Sequence, residues 1–317
     1  MSYTNLEDIV GNALQPFVSV IIPVYNDAGR LRICLAALHK QTYDSDRYEI
    51  IVIDNGSDPS PVMDNLKVEF DNVVYDQELT PGSYAARNKG ITIAKGDVIA
   101  FTDADCIPVN DWIEKGVDYL TKTSNCGLVA GRIEMLFKDP DHPNLCELYD
   151  RFVMDFPQKA FLEEYGAAFT ANIFTWRHVL DKVGYFLADL KSFGDQEWGK
   201  RVYAAGYGQI YADDAYVYHP TRHTIADLHR RTLRLSGGIY DMYVAKEPLW
   251  WKRYGRVVKL VINDLFKQPI KVTGQVMKDD RLNNFSTKLK VVMVTYFMQF
   301  ISAYEKVRLK AGGESER

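Results

Sequence analysis

The residues of this 317-residue chain best suited to chemistry are carboxylates that close apolar runs. Asp103 and Asp105 end the stretch Asp97-Val-Ile-Ala-Phe-Thr-Asp103-Ala-Asp105, one residue apart. Two carboxylates that close call for a counter-charge, and a hard divalent cation carrying a substrate diphosphate is the simplest. The plainer alternative is an Asp that only closes a turn. Asp54 ends a second apolar run, where it can accept hydrogen bonds from a nucleobase or ribose, or shape the turn Asn55-Gly56-Ser57 that follows. Asp195, in Phe193-Gly-Asp-Gln-Glu197, opens a helical stretch. An N-cap is its ordinary role; general base is its chemical one, should a substrate hydroxyl reach it. His219, before Pro220, is either structural or an imidazole completing a metal site begun by carboxylates. Gly82-Ser-Tyr-Ala-Ala-Arg87-Asn88-Lys89-Gly90 is a flexible loop running into a helix, with Arg87 suited to a phosphate. A solvated surface helix is its alternative.

These side chains need a frame that gathers strand ends. Phe17–Pro23, Tyr48–Asp54 and Val98–Phe101 are short, continuous apolar runs, which strands covered on both faces require. Helical periodicity fills the intervals at Arg30–Gln41, Val62–Phe70 and Tyr84–Ala94, with a short strand at Val73–Tyr75 and a helix at Trp112–Thr121. Alternating strands and helices predict βαβ units in a doubly wound, mostly parallel sheet. Ligands bind such sheets at the carboxyl ends of the strands, where Asp54 and Asp103 fall. After Cys126 the rhythm changes. Strands are expected at Gly127–Glu134, Phe169–Phe174 and Ala215–His219, and helices at Asn144–Glu164 with a break near Pro157, at Arg177–Val183 and at Asp195–Ala205. Beyond Pro220 the chain reads as helical, and Ala311–Arg317 as a frayed tail.

Composition, at 47% hydrophobic and 25% charged, is that of a globular protein. Four scattered cysteines without a C-x-x-C pair argue for a reducing compartment and against a disulfide framework or zinc site. The polar, acidic Met1–Pro16 is unlike a secretory signal, so a cytoplasmic location is expected. The net charge of −4 hides an asymmetry: Arg222–Lys310 holds 18 Lys or Arg against 7 Asp or Glu. A basic segment on an acidic body attracts something anionic: a membrane surface, a lipid-linked pyrophosphate, or the body itself. Within it, Val291–Ala303 is apolar on nearly all sides and flanked by Lys288, Lys290, Lys306 and Arg308. It is shorter than the roughly 20 residues that span a bilayer. Either it lies in the membrane interface with its basic flanks on lipid phosphates, or it packs on the protein or in a homo-oligomer.

Taken together, Val20-Ile-Ile-Pro-Val-Tyr25-Asn26, Ile53-Asp54-Asn-Gly-Ser57, Ala86-Arg87-Asn88-x-Gly90, Thr102-Asp103-Ala-Asp105, Thr170-Ala-Asn172, Gly194-Asp195-Gln-Glu197 and Tyr218-His219 follow the order seen in glycosyltransferase family 2. Over residues 17–220 the chain resembles an inverting GT-A transferase, with 17–125 as the nucleotide-sugar half and 126–220 as the acceptor half. A basic helical extension (221–310) lies outside the shared pattern. The resemblance implies that Pro23, Tyr25 and Asp54 line a nucleoside pocket, with Asn26, Arg87 and Asn88 also on the donor. It implies Asp103 over the ribose and sugar, Asn172 by the sugar and acceptor, and Asp105 on Mn2+ or Mg2+. His219 matches a metal ligand of some relatives, and Asp195 the catalytic base. The family's usual Glu-Asp is Gly194-Asp195 here, with Glu197 as a supporting acid. The Gln-x-x-Arg-Trp motif of processive synthases is absent, which favours one transfer per encounter.

The resemblance implies a nucleotide-sugar donor, UDP- or GDP-linked. The basic, partly apolar C-terminal segment adds the expectation of a glycan or lipid-linked acceptor in polysaccharide or glycolipid assembly at the inner membrane face, with no nucleic acid. Two rivals stand beside this: a sugar nucleotidyltransferase, disfavoured because Tyr25-Asn26-Asp27-Ala-Gly-Arg30 is no glycine-rich phosphate loop, and a non-catalytic nucleotide-sugar-binding scaffold.

Overall fold

The computed structural model describes residues 15–59, 61–282 and 284–315. The N-terminal arm read as residues 1–16 lies outside them except for Gln15 and Pro16. In chain order the elements begin β1 (Val18–Val24), α1 (Ala28–Leu38), β2 (Tyr48–Asp54), α2 (Pro61–Glu69), β3 (Val74–Gln77), α3 (Ser83–Ile93) and β4 (Val98–Thr102). Next come β5 (Ile107–Pro108), α4 (Trp112–Lys122), β6 (Cys126–Leu136), α5 (Leu145–Tyr149), α6 (Gln158–Tyr165), β7 (Asn172–Trp176) and α7 (Arg177–Val183). The chain closes with α8 (Gly194–Ala204), β8 (Gly208–Pro220), α9 (Ile225–Tyr240), α10 (Trp250–Ile262), α11 (Gln268–Lys278) and α12 (Phe285–Lys310).

Two compact units share these elements. The first runs through Arg132 and adds Gln158–Phe186 and Gln196–Val217. It is built on a sheet of order β3-β2-β1-β4-β7-β6-β8-β5. β1 pairs in parallel with β2 and β4, and β2 with β3; β7 is antiparallel to both β4 and β6. The sheet is therefore mixed, parallel from β3 to β4 and antiparallel where β7 meets β4 and β6. Val18, Val20, Ile21, Ile22, Val98, Ile99 and Phe101 are wholly buried, as strands covered on both faces demand. The β1–β4 ladder stops at Ile21↔Phe101 while the β1–β2 ladder continues to Val24↔Asp54. Pro23, which has no N–H to give, thus lies past the last rung shared with β4.

Three strands differ from expectation. β8 begins at Gly208 rather than Ala215; its first half is only partly buried, so no clean alternation marks it. β7 starts at Asn172, and the two-residue β5 carries no periodic signal at all.

The second unit comprises Ile133–Pro157, Leu187–Asp195 and Tyr218 onward, so it draws two whole segments and the start of a third from within residues 17–220. Three helices here contain a wide π turn: Asp150–Met154 after α5, Asp241–Ala245 after α9 and Asn263–Lys267 between α10 and α11. The last lets the helix pass Pro269, whose ring would clash with the carbonyl four residues back in a regular turn. The helix expected over Asn144–Glu164 breaks at Asp155, whose backbone has φ +31°. Part of the basic excess is consumed internally. Asp150, fully buried, carries Arg231 at 2.5 Å and Arg222 at 3.5 Å. Lys306 is 1% exposed and bonds Asp264 and Ser302, so it is a core cation and not a basic flank of the apolar run. Arg308 likewise pairs with the buried Glu305. At the C-terminus Ser315 accepts from Lys191 Nζ through its carbonyl, 2.6 Å, and donates to Asp241, 2.7 Å.

Candidate active site

In the first unit, β1 carries the site from its middle position in the parallel half of the sheet. With β2 on one side and β4 on the other, Asp54 and Asp103 stand at the same edge, flanking β1. Beyond β1 the chain turns at Asn26, held at φ +50°. Its N–H donates to Ser57 Oγ (2.8 Å), its amide donates to Asp58 (3.2 Å), and its carbonyl oxygen accepts from the Asp58 N–H (2.8 Å). Asn26 thus clamps the β1–α1 loop to the β2–α2 loop. Between them lies a cleft of about 340 Å³ whose lining includes Asn26, Ala28, Gly29, Ser57, Pro59 and Met63. Tyr25, 63% exposed, precedes it. Asp54 Oδ1 accepts from Ser57 N at 3.0 Å, so it shapes the turn as well as ending the strand.

Asp103 and Asp105 each have a guanidinium. Arg87, on α3 and 3% exposed, bonds Asp103 Oδ1; its Nε is buried without a partner. Arg30 lies 3.5 Å from Asp105 and 2.6 Å from Asp27. Part of the counter-charge these close carboxylates call for is thus supplied by the protein itself. Burial pushes the Cys34 and Cys106 thiols well up, and the carboxylates of Asp105 and Asp103 add to this. Both thiols are therefore inert as nucleophiles.

Asn88 and Asn172 are occupied with backbone. Asn88 exchanges two hydrogen bonds with Phe186, 2.8 and 3.0 Å. Asn172 is wholly buried: its Oδ1 accepts from Trp112 Nε1 (2.9 Å), and its Nδ2 donates to Arg132 O and Ala215 O (both 2.9 Å). A side chain at Gly131 would meet that amide at 2.4 Å, so only glycine fits beside it. Glu197 pairs with Arg201 (2.8 Å), which in turn donates to the carbonyls of Gly184 and Tyr185.

Two predicted residues belong to the second unit. Asp195, half-buried, stands in the first turn of α8, directly after Phe193 and Gly194. Phe193 has φ +65°, a strained conformation for a large side chain of the kind that clusters at functional sites. The segment before it is anchored where Arg234 donates to Ser192 Oγ, 3.1 Å. His219, 3% exposed, has Nδ1 2.9 Å from Pro220 O and its ring 4.8 Å from Phe156. Among the described residues no three His, Cys, Asp or Glu side chains form a metal-holding group. Asp103 and Asp105 fit a smaller role, as hard oxygen donors to an ion whose other ligands are waters and substrate phosphates.

Sequence reasoning missed Asn55, Trp112 and Gln158. Asn55 ties β2 to the α3 loop by bonding Glu78 O, Thr80 O and Gly82 N. Gln158 is buried and donates to Asn172 O at 3.0 Å. Only the Asn-Gly pair at Asn55 carried a signal, and it read as an ordinary turn.

A mixed sheet flanked by helices, with carboxylates at the ends of its parallel strands, defines the class: a GT-A glycosyltransferase fold. The model of the family described as "Glycosyl transferase family 2" matches residues 19–183, just over half of the chain. Glycosyltransferase AglE of Haloferax volcanii is 34% identical over 257 residues, covering 80% of this chain and 83% of that protein. Putative glycosyltransferase EpsH of Bacillus subtilis is 43% identical over 102 residues, 31% of this chain and 27% of that one. Among solved structures, mannosyltransferase PcManGT from Pyrobaculum calidifontis, in complex with GDP-Man and Mn2+, superposes with a TM-score of 0.61 at 18% identity, covering 95% and 89% of the two chains. TarS 1–349 of S. aureus in complex with UDP does so at 0.52 and 17% identity, covering 94% and 92%. Both show the fold.

The chain belongs to glycosyltransferase family 2, and it is a glycosyltransferase. That membership sets aside the nucleotidyltransferase and scaffold readings.

Proposed function

We propose that this enzyme moves one sugar per encounter from a UDP- or GDP-linked donor to an acceptor hydroxyl, with inversion and with Mn2+ or Mg2+. The supporting observation is the pairing of Arg87 with Asp103 at the strand edge that also carries Asp54 and the cleft clamped by Asn26. Pro23, Tyr25 and Asp54 take the nucleoside, and Asp103 the ribose and sugar. Arg87, once relieved of Asp103 by the donor, meets its diphosphate. Asn88 and Asn172 act through the backbone they hold. A bound Mn2+ or Mg2+ on Asp105 would supply Lewis-acid neutralisation of the diphosphate; His219 matches a position that ligates metal in some relatives. Asp195 removes the proton from the acceptor hydroxyl as that oxygen attacks the anomeric carbon opposite the leaving group. The acceptor is a glycan or lipid-linked intermediate of polysaccharide or glycolipid assembly, reached at the inner face of the membrane.

A thermal-shift screen of nucleoside diphosphates with Mn2+ tests donor binding, because a ligand of the folded state raises its stability. Transfer assays with the donor so found, with and without EDTA, test the rest. Stabilisation by one nucleotide, EDTA-sensitive transfer and an inverted anomeric product are expected. No stabilisation by any nucleotide, or retained configuration, overturns the reading.

A further inference from the structure

The second unit carries more apolar surface than a globular face needs. Helix α12 buries Val291, Thr295, Met298 and Leu309. It also presents a second apolar stripe outward: Met293, Tyr296, Phe297, Phe300, Tyr304 and Val307, with Met293 69% and Phe300 60% exposed. Spacings of three and four residues keep these on one side of the helix.

The α10–α11 helix repeats the pattern. Val257 packs with Leu309 at one end and Val276 with Val291 and Val292 at the other, so it runs antiparallel beside α12. Outward it shows Trp251, Tyr254, Val258, Ile262, Phe266 and Ile270. Four-residue steps drift by about 40° each on a regular helix. The π turn at Asn263–Lys267, with more residues per turn, takes up part of that drift and carries the stripe on to Ile270. Lys252, Lys259, Lys267, Lys271 and Lys278 are exposed along the same helix. Aromatic residues rimmed by lysines match a headgroup layer, apolar above the acyl chains and cationic toward the phosphates. None of the described helices is long and apolar enough to cross a membrane.

We infer that the outward stripes of α10–α11 and α12 form a docking surface for an anionic lipid bilayer, in whose interface the two helices lie. The inference deepens the proposed function, resting on it only for the membrane as workplace. The occupant is argued from charge complementarity.

Flotation of the full chain with vesicles of phosphatidylcholine alone, and of phosphatidylcholine with phosphatidylglycerol, tests it. Binding to the anionic vesicles, weakened by salt, is expected. The double variant Phe297→Ser/Phe300→Ser should lower it at least about tenfold, and Lys259→Glu/Lys267→Glu/Lys271→Glu should abolish the preference for anionic lipid. Because all five side chains are exposed, melting temperature and any nucleotide-induced thermal shift stay unchanged. Flotation with neither vesicle, or flotation indifferent to both variants, overturns the inference. So does a dimer that the Phe297/Phe300 variant dissociates while vesicle binding is absent, which assigns the face to a second copy. Vesicle binding intact without any nucleotide-induced shift would instead refute the donor reading and leave the docking surface standing.

Discussion

Arg87 reaches Asp103 from a nearly closed position, and its Nε has no hydrogen-bond partner there. A buried guanidinium with donor capacity left over is suited to a second acceptor. Arg87→Met keeps the volume and removes the charge. It is expected to lower stability by about 1–3 kcal/mol, within the range for losing a buried charged hydrogen bond. It should also abolish the nucleotide-induced rise in melting temperature. A rise equal to that of the parent protein would deny Arg87 any part in donor binding.

Asp195→Asn removes a proton acceptor while preserving shape. Donor-induced stabilisation should persist, while transfer falls by a factor on the order of 10³. Turnover within a few-fold of the parent would refute Asp195 as the base.

Asn172→Leu leaves Trp112 Nε1, Arg132 O and Ala215 O buried without their partner. Denaturant unfolding should show a loss of about 2–4 kcal/mol. Gly131→Ala, with no room beside the same amide, should be at least as damaging. Two soluble, fully stable variants would contradict this packing.

The first turn of α9 gives a pH-dependent test. Asp227 is held below its ordinary 3.8, first by the Thr224 hydroxyl and then by Arg230. A carboxyl whose folded pKa is depressed contributes stability above its unfolded pKa and loses it as pH falls through the folded value. Asp227→Asn should therefore cost about 0.5–1 kcal/mol at pH 7, and that cost should shrink as pH falls through the carboxyl range. A cost independent of pH would show that charge is not the cause.

How far the sequence could be read depends on whether a residue's role is local. β1, β2 and β4 were legible because burial on both faces forces an unbroken apolar run, and their ends located Asp54 and Asp103. The first half of β8 was not, since a half-exposed strand follows no strict alternation. Asn172 and Gln158 defeat sequence reading for another reason. Their partners lie up to 60 residues away, and nothing in the local pattern distinguishes a core amide from a ligand-facing one. Lys306 misled in the same way: a lysine beside an apolar run reads as a solvated flank, and only the fold reveals Asp264 across from it. The aromatic stripe of α12 was seen as apolarity on all sides; the fold separates it into a core face and an outward face.

The π turns have a genetic consequence. Each behaves as one extra residue that a helix has swallowed without rupture. Removing a single residue from Asn263–Lys267 would restore an ordinary helical turn and leave the downstream faces nearly where they are, whereas removing one from a regular turn of the same helix would swing everything downstream by about 100°. A deletion of that second kind would turn Val276 and Pro269, now buried, toward solvent and Ile270 toward the interior. An in-frame one-codon deletion within Asn263–Lys267 should thus be better tolerated than one in the regular turns on either side.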